Sequence, residues 1–164
     1  MNKKQIFFLV LGGILLRLAP HIPNVAPVGA IALFAGYQSK SKWAWVLPLL
    51  VMIPSDFVLG FHKTIPYVYG SYVLISLLGY AMRSKVNTHS VLGFSLISSI
   101  VFYIITNFGV WATGTMYTKD LAGLMQCYTY AIPFYRATIV GDLVYNFLLF
   151  FLFAYRPAKK ASLA

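Results

Sequence analysis

The residues best suited to bind a ligand fall in a proline-rich stretch, 17–30, between the first two apolar segments. It combines a cation, an imidazole and a carboxamide in Arg17, His21 and Asn24. Its three prolines prevent a helix, because each removes an N–H donor and pushes the preceding residue toward extended geometry. Non-helical backbone persists in a bilayer only where it is buried in protein or lines a wet cavity. The stretch is therefore predicted to border a binding cavity.

Polar residues elsewhere in the chain fall at the same predicted depth, in the outer half of the apolar segments. In the fifth segment, polar side chains recur at helical spacing and end in Thr106 and Asn107, and in the sixth they include Thr138, Asp142 and Asn146. Such a stripe must face protein or water. We predict that a small-molecule site is lined by Arg17, His21, Asn24, Asp56, Tyr69, Tyr72, Asn107, Trp111, Arg136, Asp142 and Asn146.

Asp142 is the most informative of these residues. At 1.5 Å per helical residue it lies about 13 Å below the outer end of its segment, close to the midplane. An ionisable side chain there costs about 2.5 to 3.5 kcal/mol on insertion scales, so it needs a partner or a cavity. Two interpretations stay open: a structural ion pair with Arg17 or Arg136, or contact with a ligand.

The composition defines the class of protein. Of 164 residues, 60% are hydrophobic and 10% are charged, whereas a soluble domain is about half apolar and a quarter charged. We therefore expect a polytopic membrane protein with one domain over residues 1–164. The net charge of +10 does not indicate a nucleic-acid partner, because the cations fall in short loops between apolar segments.

Apolar runs and charges predict the topology. Nine of the 13 lysines and arginines fall on the side that carries both termini, which predicts cytoplasmic termini by the positive-inside rule. The expected fold is all-α, with six transmembrane helices. The six apolar segments are roughly 5 to 18, 27 to 39, 43 to 59, 66 to 82, 89 to 111 and 132 to 155.

Two features between and within these segments have structural meaning. The second segment has a face of small residues, formed by Gly29, Ala32, Ala35 and Gly36. Such a face suits tight packing within the chain or docking of a partner protein. The longest link, 112–130, contains apolar residues from which we expect a short amphipathic helix over the outer end of the bundle.

Catalytic and cofactor motifs are missing from the sequence. It has no HExxH, GxSxG or Gly-rich phosphate loop, and no glutamate at all, so we expect neither an enzyme nor a bound cofactor. A metal site would require further donors near His21, for which His62 and Asp56 are the candidates. Metal uptake is therefore kept as a weaker alternative, and no metal ligand is assigned.

Several segments together resemble a known family. They are Arg17 to Gly36, Pro54-Ser55-Asp56 with Leu59-Gly60, Thr106 to Trp111, Gly123-Leu124 with Cys127-Tyr128, Ala131 to Phe134, and Gly141-Asp142-Leu143. On these the chain is identified as a member of an uncharacterised family of small bacterial integral-membrane proteins. That family is similar to the substrate-binding S components of energy-coupling-factor transporters. The resemblance implies a multi-pass protein of the bacterial inner membrane. It also implies capture of a vitamin-like molecule at the outer face, with a coupling transmembrane subunit and ATPases supplied by other genes.

The leading hypothesis is thus a solute-binding membrane subunit or small transporter. The alternative from another class is a structural or assembly protein whose polar stripes only hold helices together. A cavity of several hundred Å³ behind the proline-rich stretch favours binding, and a filled bundle favours the structural role.

Overall fold

The computed structural model describes residues 1–20, 23–39, 43–83 and 87–153, which form six α-helices and no strand. The all-α prediction is confirmed. The helices are α1 (Lys3–Leu18), α2 (Val28–Gln38), α3 (Val46–Leu59), α4 (Ile65–Met82), α5 (Thr88–Thr113) and α6 (Leu121–Phe153). Residues 19–20 and 23–27 between α1 and α2 are not helical, as the prolines predict.

Helix α2 lies at the centre and contacts all five other helices. Every residue from Val28 to Gly36 is buried. A Cβ at Gly36 would overlap the backbone of Ser76 on α4, and a Cβ at Gly79 would overlap the backbone of Leu33 on α2. The two helices therefore approach through reciprocal glycines, and the small-residue face is used for packing within the chain.

Three helices are long and apolar enough to cross a membrane: Ile65–Met82, Thr88–Thr113 and Leu121–Phe153. Helices α2 and α3 are apolar but shorter. Many large apolar side chains point outward, among them Phe57 at 73% exposure and Phe151 at 69%. Such a surface is unfavourable in water and suits contact with lipid. The helices therefore indicate a membrane protein.

Helix α6 differs from the predicted sixth segment. It begins at Leu121 and continues through Pro133 for 33 residues, or about 50 Å. The apolar residues of the 112–130 link, for which a separate amphipathic helix was expected, include Leu124 and Met125 and form the first turns of α6. A proline inside a membrane helix is tolerated where neighbouring helices and local adjustments satisfy the freed carbonyl.

The start of α6 is fixed by a capping aspartate. Asp120 Oδ1 accepts hydrogen bonds from the Gly123 N–H at 2.7 Å and from the Thr118 hydroxyl at 2.8 Å. Both bonds favour the ionised carboxylate, and they lower the pKa of Asp120 from its ordinary value of 3.8. This N-cap explains why the helix begins twelve residues before Pro133.

Candidate functional site

A cavity of about 470 Å³ lies toward the end of the bundle where α1, α3 and α5 end and α2 and α4 begin, beside the middle of α6. All six helices contribute to its wall. It is lined by five of the predicted site residues: Arg17, Asn24, Tyr72, Asn107 and Asp142. The structure thus brings together polar side chains that are up to 125 positions apart in the chain.

The proline-rich stretch contributes Asn24 and Ala26 to the wall. Asn24 has a φ of 65°, and it is the only described non-glycine residue with a positive φ. Asparagine tolerates this left-handed conformation better than most residues, because its short polar side chain forms local hydrogen bonds. His21, the other candidate of this stretch, lies outside the described residues.

Arg17 is held by a buried carboxylate. Its Nη2 lies 2.6 Å from Oδ1 of Asp56, which is 1% exposed, and its Nη1 donates to the hydroxyl of Ser55. The Tyr69 hydroxyl donates to Oδ2 of Asp56 at 2.7 Å. Asp56 and Tyr69 therefore lie behind Arg17 and orient it, while Arg17 itself lines the cavity.

Asp142 is 4% exposed and borders the cavity without a basic partner among the described residues. Neither Arg17 nor Arg136 forms an ion pair with it. Its Oδ2 accepts a hydrogen bond from the Ser99 hydroxyl at 2.7 Å. Its Oδ1 occupies the space that a Cβ on Gly29 would fill, beside the first turn of α2. The positive end of the α2 dipole and the Ser99 hydroxyl thus offset part of the cost of burying this carboxylate as an anion.

Aromatic rings form two parts of the wall. The rings of Tyr72 and Phe102 lie 5.2 Å apart, and those of Tyr103 and Tyr135 lie 4.5 Å apart. All four residues line the cavity. Asn107 also lines the cavity, and its Nδ2 donates to the Tyr103 carbonyl at 2.8 Å. The cavity therefore presents flat apolar surfaces together with a few polar groups, which is the usual chemistry of a small-molecule pocket.

Besides Asp56 and Tyr69, which lie behind Arg17, three more predicted site residues do not line the cavity. Trp111 donates from its indole N–H to the Thr118 carbonyl at 2.8 Å and belongs to the contacts of the α5 to α6 link. Arg136 is exposed on the outer surface of α6. Asn146 is completely buried one helical turn beyond Asp142, and in the part of the chain that the structure describes neither its Oδ1 nor its Nδ2 has a hydrogen-bond partner.

Several wall residues were missing from the predicted site. The cavity is also lined by Phe102, Tyr103, Thr138, Tyr135 and His62. Tyr135 lies seven residues before Asp142, two helical turns away on the same face of α6, and this spacing could have identified it. No sequence signal distinguishes Phe102 from the many apolar residues of α5.

A cluster of metal-binding side chains is not seen in residues 1–20, 23–39, 43–83 and 87–153, where no three His, Cys, Asp or Glu residues come together. The one cysteine, Cys127, is buried and donates to the Asn107 carbonyl at 3.4 Å.

Comparison with known proteins gives one result. No match was found among curated proteins or among solved structures. The model of a family of unknown function, DUF6580, matches residues 2–163, almost the full length of the chain. The chain therefore belongs to this family, and the protein is a helical membrane protein of the DUF6580 family.

Proposed function

We propose that this protein is a membrane-embedded solute-binding subunit or small transporter, which captures a small, vitamin-like molecule at the outer face of a bacterial inner membrane. In this proposal the chain crosses the bilayer six times with both termini cytoplasmic, and the short α2 crosses together with the non-helical residues 23–27 that precede it. The cavity lies at the end of the bundle opposite the N-terminus of α1, so it would open to the outside.

The observation that carries the proposal is the convergence of Arg17, Asn107 and Asp142 on one cavity. These residues come from α1, α5 and α6. The volume of about 470 Å³ falls within the roughly 300 to 1,000 Å³ of typical ligand pockets. A protein with only a packing role has no need for a hollow at the point where its polar side chains meet.

The wall suggests how a ligand would be held. A planar group would stack against the Tyr72 and Phe102 pair or the Tyr103 and Tyr135 pair. Asn107 would orient a polar edge of the ligand. Arg17 would hold an anionic or carbonyl group, with Asp56 fixing the guanidinium in place.

The resemblance to S components of energy-coupling-factor transporters supports a place in a larger assembly. In that case a coupling transmembrane subunit and ATPases from other genes would drive release of the solute to the cytoplasm. A protein that works alone as a small transporter would need no such partner, and reconstitution of the purified chain in liposomes separates the two cases.

Native mass spectrometry of the protein, purified in mild detergent, tests the proposal. We expect a co-purified small molecule whose mass identifies its class. Asn107→Ala should abolish this adduct and the associated thermal stabilisation, whereas Arg136→Gln, which changes a charge away from the cavity, should retain both. Retention of the adduct in Arg17→Ala, Asn107→Ala and Asp142→Ala alike would remove the site assignment.

A cavity-filling substitution separates binding from a purely structural role. Ala131 lines the cavity and is 8% exposed. If the cavity only represents imperfect packing, Ala131→Leu should stabilise the protein and leave its cellular role intact. If the cavity binds a solute, the same substitution should remove the adduct and impair uptake.

A further inference from the structure

Four buried polar residues form a cluster where α5 meets α6, adjoining the cavity. Ser95 and Ser99 come from α5, and Asp142 and Asn146 come from α6. Ser95, Ser99 and Asn146 are 0% exposed, and Asp142 is 4% exposed. We refer to these four residues as the α5–α6 polar cluster.

The register of the two helices brings the cluster together. Ser99 donates to Asp142 Oδ2 at 2.7 Å, which sets these two residues at the same level. Ser95 and Asn146 each lie four residues further from the cavity end, because α5 and α6 are consecutive helices that run in opposite directions. One helical turn therefore separates two levels, one with a hydroxyl and a carboxylate and one with a hydroxyl and a carboxamide.

The second level has unmet hydrogen-bonding capacity. Ser95 Oγ and both Oδ1 and Nδ2 of Asn146 are buried and have no hydrogen-bond partner among the described residues. Leaving such groups unsatisfied is costly, and a bound water or ion is one way in which native proteins satisfy them. The side chains of Ser95 and Asn146 form no hydrogen bond between α5 and α6, so a role in helix packing does not account for them.

The chemistry of the cluster favours a hard cation with a single charge. Its donors are carboxylate, hydroxyl and amide oxygens, which alkali and alkaline-earth ions prefer to nitrogen or sulfur ligands. One carboxylate neutralises one positive charge. A divalent ion would leave an excess charge among apolar residues, which is strongly unfavourable.

We propose that the α5–α6 polar cluster binds an alkali cation such as Na⁺, with Asp142 as its anionic ligand. Asn146 Oδ1, Ser95 Oγ and Ser99 Oγ supply neutral oxygens, and the ion reaches them through the cavity that Asp142 borders. This goes beyond the proposed function, because the ion would bind whether or not the cavity also holds a solute. The same carboxylate could instead attract an ammonium group of the solute, so the test uses the metal ion alone.

Thermal unfolding of the full chain in detergent, after removal of any co-purified solute, provides the test. NaCl, KCl and choline chloride are compared at equal ionic strength. We expect NaCl or KCl to raise the unfolding midpoint in a saturable way, because an ion that binds only the folded state stabilises it by mass action. Equal midpoints in all three salts would overturn the proposal.

Substitutions locate the ion. Asn146→Leu and Ser95→Ala each remove an oxygen, and each should weaken the apparent cation affinity about tenfold or more, as expected for loss of an interaction with a charged group. Ser98→Ala is the matched control, since Ser98 is also a 0% exposed serine of α5 but donates to the Phe94 carbonyl at 2.8 Å. Its salt response should equal that of the unmodified protein.

Asp142→Asn should abolish the salt response, and Asn146→Leu remains decisive if the Asp142 variant does not fold. In choline chloride, Asn146→Leu should be at least as stable as the unmodified protein, because it removes an unsatisfied buried amide. An unchanged response in both Asn146→Leu and Ser95→Ala would show that no ion occupies the cluster, whatever happens at Asp142.

Discussion

The pair formed by Arg17 and Asp56 allows a sharp test of how the site is held. Substitution of Arg17 by Met keeps much of the side-chain volume but removes the charge. It leaves the Asp56 carboxylate 1% exposed, with the Tyr69 hydroxyl at 2.7 Å as a remaining donor. Removal of one partner from a buried ion pair costs about 3 to 5 kcal/mol. We expect a value near the lower end, about 3 kcal/mol, because Arg17 is 14% exposed beside the cavity.

The reverse substitution should cost less. Asp56→Asn leaves the guanidinium next to the cavity, where water reaches it, and Arg17 keeps its bonds to Ser55 and to the Met52 carbonyl. The expected cost is about 1 to 2 kcal/mol. The double variant, Arg17→Met with Asp56→Asn, contains no uncompensated charge at this point and should also cost about 1 to 2 kcal/mol.

These values predict a coupling energy of roughly 2 to 4 kcal/mol between the two positions. It can be measured as a double-mutant cycle from reversible unfolding in mixed detergent micelles, followed by circular dichroism. If the two single effects add to within about 0.5 kcal/mol, the residues are energetically independent. The assignment of Asp56 as the group that orients Arg17 would then be wrong.

Three further predictions concern other parts of the chain. Gly79→Ala should destabilise the protein by about 1 to 3 kcal/mol, because its Cβ would overlap the α2 backbone, whereas Gly70→Ala in the same helix meets open space and should be neutral or slightly stabilising in the same unfolding assay. Because the pKa of Asp120 is lowered in the folded protein, its stabilising contribution is present above its unfolded pKa near 3.8 and is lost as pH falls through the folded pKa. Protection of the Gly123 amide from hydrogen exchange should decline in that pH range. Unchanged protection in Asp120→Ala would contradict the capping role. Cys127 is 2% exposed, so maleimide should label it slowly in mild detergent and rapidly in denaturant, and equal rates would contradict its burial.

The helices were largely predictable from the sequence, because apolar runs and prolines act locally. The gap between α1 and α2 follows from the three prolines of the 17–30 stretch. The start of α6 did not follow, because the apolar run predicts a last segment that begins only near residue 132. Asp120 is a residue type that caps helix N-termini, and its cap determines where α6 begins.

The sequence predicts which faces of the helices line the candidate site, but not which side chains pair with each other there. Helical periodicity places Asn107 and Asp142 on inward faces, and both line the cavity. Periodicity carries no information about which acid Arg17 meets. Asp56 and Asp142 have similar predicted depth, and only the packing of α1 against α3 brings Asp56 within 2.6 Å of the guanidinium.

The short central helix has a consequence for biogenesis. With 11 residues, α2 extends about 16 Å, roughly half the thickness of the hydrocarbon layer. It emerges from the ribosome well before α4 and α6, which cover it in the folded protein. A nascent chain that ends before α4 offers this helix only α1 and α3 as neighbours and lacks α4 and α6, which cover it more extensively, so its stable integration must wait until the later helices have been synthesised.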